Sequence, residues 1–174
     1  DFMHYRGFLQ KPYRTVSAGG VIEPERVPDL RLRHAAATTY KHFLEATNTG
    51  VIAAYRFYAD DWGIVGHAPE MRLIQEIGDT SEVHVAYRFY TQGAADFYKV
   101  QYATNDPAIE PYLTDDDKLS AMTSHTMGLK LATNLSTLGV EGEWGDIRLE
   151  ALAQYIAQST RFGDALVGHA AMTV

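Results

Sequence analysis

The chain has no cysteine, and that absence removes several chemistries at once. Disulfide scaffolds, thiolate metal sites, cysteine-linked haem and cysteine nucleophiles are excluded. No window approaches the roughly 20 apolar residues that a membrane-spanning helix needs. The fifteen Lys and Arg form no stripe in a chain of net charge -7, so the electrostatic footprint of a nucleic-acid binder is missing. The chain opens Asp1-Phe2-Met3-His4, without the basic start and apolar run of a signal peptide. It therefore reads as a processed protein or a fragment.

Catalytic and metal motifs are missing as well. The seven His are scattered at His4, His34, His42, His67, His84, His125 and His169, and no His-Glu-x-x-His pair exists to seat zinc. Asp60-Asp61 and Asp115-Asp116-Asp117 offer hard oxygen ligands but lack the fixed spacing of a calcium loop. They are expected to be exposed acidic loops, and no metal or other cofactor is expected. Ser124 and His125 are adjacent, yet adjacent strand residues point to opposite faces and cannot act as nucleophile and base. Gly19-Gly20 is only a loop signal, since no phosphate-binding motif surrounds it. The expectation is a protein without enzymatic activity.

What the chain does have is a repeated amphipathic strand. Ala54-Tyr55-Arg56-Phe57-Tyr58 returns as Ala86-Tyr87-Arg88-Phe89-Tyr90. With a period of two, Val51, Ala53, Tyr55 and Phe57 share one face, against Ile52, Ala54, Arg56, Tyr58 and Asp60. In the second copy Val83, Val85, Tyr87 and Phe89 oppose His84, Ala86, Arg88, Tyr90 and Gln92. The same alternation predicts strands over 2–9, 30–44, 51–60, 69–77, 83–98, 122–135, 144–158 and 165–174. Residues 10–29 and 100–120, with their prolines and Asp run, are predicted as long irregular loops. Asn48-Thr49-Gly50 and Gly78-Asp79-Thr80-Ser81 are predicted as tight turns.

Eight strands in this order sort their connections. The two longest and most acidic loops and the Asp60-Asp61-Trp62 connection fall on one side, and the tight turns on the other. An outer-membrane barrel sorts its loops in this way, with apolar positions facing lipid and polar positions facing inward. The predicted fold is all-β: one domain over 1–174, an antiparallel up-and-down transmembrane β-barrel. Its lipid-facing aromatic girdle would be Tyr55, Phe57, Tyr87, Phe89 and Tyr155. Its lumen would hold Arg56, Tyr58, Glu70, Arg72, Glu76, Arg88, Tyr90, Lys130, Arg148 and Glu150. Charges of both signs across a narrow lumen suit a structural network better than a selective pore, which would show a ring of one sign.

Several blocks also carry a resemblance. They are Gly7-Phe8-Leu9 with Pro12-Tyr13-Arg14, Arg26-Val27-Pro28-Asp29, Tyr55-Arg56-Phe57-Tyr58-Ala59-Asp60-Asp61-Trp62-Gly63-Ile64, and Gln92 followed by Ala95-Asp96-Phe97-Tyr98. With Leu119-Ser120 and Gly163-Asp164-Ala165-Leu166, they resemble a bacterial family of uncharacterised proteins predicted to be outer-membrane β-barrels. The chain departs from that pattern at Val65-Gly66-His67-Ala68, where the family usually reads Ser-His-Thr. The resemblance implies the fold and a location in the cell outer membrane of Gram-negative bacteria, and no activity. Family members are longer, and this chain resembles their C-terminal half. Whether eight strands close by themselves or form part of a larger barrel is left open by that.

The functional expectation is a porin-like barrel, either a small channel or an anchoring component of an envelope or surface assembly. Its partners would be the outer-membrane bilayer and an envelope or surface protein, not nucleic acid. The alternative is a soluble lipocalin-like barrel around a small apolar ligand, which would turn its apolar face inward and for which the usual Gly-x-Trp signal is missing.

Overall fold

The computed structural model describes residues 1–160 and 163–173. Arg161 and Phe162 of the last predicted connection, and Val174 of the last predicted strand, lie outside the described residues. The fold is all-β. Eight strands form one sheet in the order β1 (Phe2–Arg6), β4 (Leu30–Leu44), β5 (Thr49–Asp60), β6 (Val65–Ile77), β7 (Ser81–Gln92), β8 (Met122–Asn134), β9 (Arg148–Gln158) and β10 (Ala165–Thr173). Neighbours are antiparallel, as consecutive strands joined by short turns must be. The two Tyr-Arg-Phe-Tyr copies sit on β5 and β7, with β6 between them.

Several boundaries differ from the sequence expectation: the strand predicted over 2–9 ends at Arg6, and the strand predicted over 69–77 begins at Val65. Residues 10–29 are not irregular throughout. They contain a second, two-stranded sheet of β2 (Thr15–Ala18) and β3 (Val21–Pro24). Gly19 and Gly20, both at positive φ, make the tight turn between them, a conformation that suits residues without Cβ. The strand predicted over 83–98 stops at Gln92, where the Gly93 amide turns to the Val65 carbonyl. The strand predicted from Trp144 starts at Arg148 instead, because Ser136 and Leu135 hydrogen-bond to Gly145 and Ile147 and hold 142–147 in a compact turn.

The side chains keep a strict period of two, and contacts fix which rows share a face. Gly50 lies against Ile74, Arg88 pairs with Glu70, Gly128 lies against Ala86 and Gln154, and Lys130 pairs with Glu150. Arg31 reaches Tyr58 and Asp60. These contacts define a polar face. The other face carries Val51, Tyr55, Met71, Leu73, Val85, Tyr87, Met127, Leu129 and Leu131, among others. On β8 it is the apolar row that is open: Met127, Leu129 and Leu131 are 55%, 45% and 48% exposed, while Ser124, Thr126, Gly128 and Lys130 on the polar row are half-buried. Among the described strand residues, the apolar face holds no Asp, Glu or Lys, and Arg6 is its single Arg.

Contacts group the chain into two compact units. The first comprises Asp1–Ala36, Arg56–His67 and Thr91–Thr123. Its core is built by the long connections: Val16, Ala18, Tyr102 and Leu113 form one cluster, and Trp62, Ile64, Ala95 and Leu119 form another. The 100–120 segment, expected to be a polar loop, thus supplies buried apolar side chains. The second unit comprises Ala37–Tyr55, Ala68–Tyr90 and Ser124–Val174. It consists of strands and their shorter turns.

In the first unit Gly63 has φ +86°, and a Cβ there would meet the Asp96 carboxylate at 2.2–2.7 Å. Gly63→Ala is expected to cost about 1–2 kcal/mol from the left-handed backbone, plus the displacement of Asp96. Denaturant midpoints of the two proteins would measure this.

Candidate functional site

The polar face of the second unit is an ion-pair network. Arg148 lies 3.0 Å from Glu82 and 3.4 Å from Glu150, and Lys130 lies 2.9 Å from Glu150. His84 Nε2 lies 2.7 Å from Glu82. On the neighbouring strands Arg72 pairs with Glu70 at 2.7 Å, and Arg88 reaches the same carboxylate at 3.6 Å. Period two brings these groups together, since each lies on the polar row of its strand. Glu76 and Arg148 also line a polar hollow of about 310 Å³ beside the 78–80 turn.

Of the predicted lumen residues, Glu70, Arg72, Arg88, Lys130, Arg148 and Glu150 thus interact in this network. Arg56, Tyr58, Glu76 and Tyr90 occupy the same polar rows. His84, expected on the same row as Arg88, joins the network through Glu82, which the sequence reading missed because it lies before the strand predicted from Val83. The predicted girdle residues Tyr55, Phe57, Tyr87, Phe89 and Tyr155 all lie on the apolar face. Tyr155 sits opposite Met127 on one side and Leu166 on the other.

In the first unit the Asp60 carboxylate is a structural knot rather than an exposed acid. Its side chain is fully buried. It accepts hydrogen bonds from Arg31 Nε at 2.9 Å, the Tyr58 hydroxyl at 2.7 Å, and the Trp62 and Ile64 amides at 3.1 and 3.0 Å. The Arg31 guanidinium also lies 4.3 Å from the Trp62 ring, a cation–π contact. The Trp62 indole donates to the Leu30 carbonyl at 2.8 Å. Asp61, at the same turn, accepts from the Leu32 amide at 2.8 Å. The Asp-Asp-Trp sequence therefore closes the β5–β6 turn and ties it to β4.

Asp116 and Asp117 also correct the expectation of exposed acids, since both are buried. Asp116 accepts from Lys11 Nζ and from the Lys118 amide, and Arg14 lies 3.5 Å away. Arg14 lies 3.6 Å from Asp115. Buried Glu25 accepts from the Thr114 hydroxyl at 2.6 Å and the Lys11 amide at 2.8 Å. The Tyr102 hydroxyl accepts from the Thr114 amide at 2.7 Å, and burial pushes its phenol pKa up. Charge and backbone donors, not solvent, are what these acids meet, because the two long connections pack on each other.

Burial pushes the Asp116 carboxyl up, but the Lys11 hydrogen bond, the Lys118 amide and the charges of Lys11 and Arg14 outweigh it and leave the pKa lowered. A depressed carboxylate stabilises the fold above its ordinary pKa near 4, and that stability is lost as pH falls through the lower folded value. Amide-exchange protection of 7–29 and 93–121 is therefore expected to hold from neutral pH down to about 5. It should fall below about pH 4, with the loss reduced in Asp116→Asn.

Among the described residues no group of three His, Asp or Glu side chains could hold a metal ion. Ser124 and His125 lie on opposite faces, with Ser124 opposite Gln158 and His125 against Tyr87 and Phe89.

The sequence matches the family model described as Protein of unknown function (DUF3570) over residues 1–166. The chain belongs to this family. No curated protein and no solved structure matches it. The family match spans both compact units and every strand from β1 to β9. The Asp60 knot, the packed long connections and the ion-pair network are therefore all within the part of this DUF3570 chain that defines its membership.

Proposed function

We propose that this protein is a non-enzymatic outer-membrane β-barrel protein of Gram-negative bacteria that anchors its packed long connections at the cell surface. The observation that carries this reading is the inverted polarity of the sheet. On β8 and β9 the apolar row is the exposed one, with Met127, Leu129, Leu131 and Tyr155 open and Lys130, Arg148 and Glu150 on the opposite row half-buried, and among the described strand residues the apolar face holds no Asp, Glu or Lys. In water such a face is unfavourable, since exposed apolar area costs about 25 cal/mol per Å² relative to burial. Against lipid it is the required surface. A lipocalin-like barrel needs the opposite arrangement, with the apolar row inside.

The antiparallel order gives the reading its direction. Connections 7–29, 61–64 and 93–121 leave one end of the strands, and 45–48, 78–80 and 135–147 leave the other. The long, packed connections take the exterior side of a barrel, and the shorter turns the periplasmic side. In lipid the edge strands β1 and β10 must be paired, by closure of the sheet or by further strands. Opposite charges paired across the polar face favour a plugged interior and an anchoring role over conduction.

The test is insertion. Protein refolded with phospholipid vesicles should float with them and migrate differently in detergent gels before and after heating. A chain that stays monodisperse in buffer without detergent or lipid contradicts the reading. Planar-bilayer recordings of the inserted protein should show no conductance above background. Steady single-channel steps would replace the anchoring role with that of a small channel.

A further inference from the structure

We propose that an apolar hollow on β8–β10 and the acidic turn 135–147 beside it seat one phospholipid with a primary-amine headgroup, phosphatidylethanolamine, an inference that rests on the membrane reading above. The hollow lies within the second unit and has a volume of about 490 Å³, inside the roughly 300–1,000 Å³ range of small-molecule sites. Six of its lining side chains fall on two neighbouring rungs across three strands, Leu131–Ala151–Ala170 and Thr133–Leu149–Met172. Directly opposed residues share a face, so all six stand together on the apolar face. Ala151 and Ala170 contribute single methyl groups, and Leu131 and Met172, 48% and 67% exposed, stand beside them. Because the hollow is on the face and not at the edge, a further strand paired with β10 would leave it open.

The turn selects the headgroup. Residues 135–147 join Asn134 to Arg148, the pair next to the Thr133–Leu149 rung, so the turn begins where the hollow ends. It carries Glu141, Glu143 and Asp146, all exposed, and no Lys, Arg or His. Trp144 and Leu138 of the same turn are 69% and 63% exposed. A ligand that follows this surface is apolar along the strands and cationic beyond their end. A primary ammonium donates charge-assisted hydrogen bonds to carboxylates and is attracted to an indole face, whereas an anionic headgroup is repelled. Tryptophan also settles at the headgroup level of a bilayer. A free amine has no chain to bury in the hollow, so the amine-bearing lipid is the occupant.

The inference is tested on the whole chain in phosphatidylcholine vesicles at low ionic strength, with spin-labelled phosphatidylethanolamine and spin-labelled phosphatidylcholine as probes. The two probes carry the same net charge, so the overall charge of the chain does not separate them. The native protein should restrict the motion of the ethanolamine lipid about threefold more often than that of the choline lipid, within what an exposed charge pair gives. Ala151→Leu with Ala170→Leu fills the hollow with apolar atoms that lipid tolerates, and should abolish the preference while the protein still inserts. Glu141→Gln with Glu143→Gln alters only exposed turn side chains and should make the two probes equal. Equal restriction of both probes by the native protein, preference kept in either double variant, or loss of preference in millimolar free ethanolamine overturns the inference and leaves the membrane reading standing. So does cross-linking of two native copies through this face in place of restricted lipid, which puts a second copy in the hollow. A native protein that fails to insert overturns the membrane reading itself. Should the filled variant not insert, the turn variant decides: preference lost supports the lipid site, and preference kept overturns it.

Discussion

Leu129→Arg is expected to lower the folded, inserted fraction of the protein by about 2–4 kcal/mol in free energy, the cost of a cationic side chain at the midplane of a barrel's lipid face. Leu129 is 45% exposed, sits opposite Ala153 and is flanked on its row by Met127 and Leu131. None of these supplies a partner for a guanidinium. In lipid the charge would have to be buried or to snorkel from the middle of the strand. If the sheet stood in water, the same change would replace an exposed apolar side chain by a soluble one and would be neutral or favourable. The sign of the effect thus separates the two environments. Thr126→Lys, one row over on the polar face, is the control and should leave insertion nearly unchanged. Urea unfolding from vesicles, followed by the heat-modified gel shift, measures both.

Asp60→Ala is expected to destabilise the first unit by about 3–5 kcal/mol, the cost of stranding a buried charge when its partner is removed. The Arg31 guanidinium would lose its carboxylate while staying nearly buried, and the Trp62 and Ile64 amides would lose their acceptor. Both effects fall on the same turn, so the β5–β6 connection and its tie to β4 loosen together. Arg31→Leu in the Asp60→Ala background should recover part of the loss, because the stranded charge is gone. Trp62 is buried at 5% exposure and Trp144 is open at 69%. Fluorescence of the Trp144→Phe protein therefore reports unfolding at the Asp60 knot itself.

Much of the sheet was legible because barrel-like strands advertise themselves by period two. Val51 to Asp60 and Val83 to Gln92 announced both their faces and their shared sheet, and Met122 to Leu135 differed by one residue from the observed strand. The packed connections were not legible. Val16, Tyr102 and Leu113 meet only after long stretches of chain are brought together, and no local pattern encodes such contacts. The prolines and the Asp run within 100–120 are true of the sequence, yet they say nothing about Tyr102 being buried beside them. For Asp60 and Asp116, composition suggested exposure, and partners decided otherwise: Arg31, Lys11 and Arg14 come from elsewhere in the chain. His84 was readable by spacing, and its place in the network needed Glu82, which lies before the predicted strand, and Arg148 from β9.

The absence of cysteine makes the most direct measurement simple. Single Cys substitutions from Thr123 to Thr133, each carrying a nitroxide spin label, can be read for collision with oxygen, which partitions into lipid, and with a polar nickel chelate. In vesicles, labels at 127, 129 and 131 should be accessible to oxygen and shielded from nickel, and labels at 126, 128 and 130 should show the reverse or be shielded from both. A period of two in that phase is what a lipid-facing apolar row requires. Nickel accessibility at 127, 129 and 131 equal to that of a label in free solution would contradict the account.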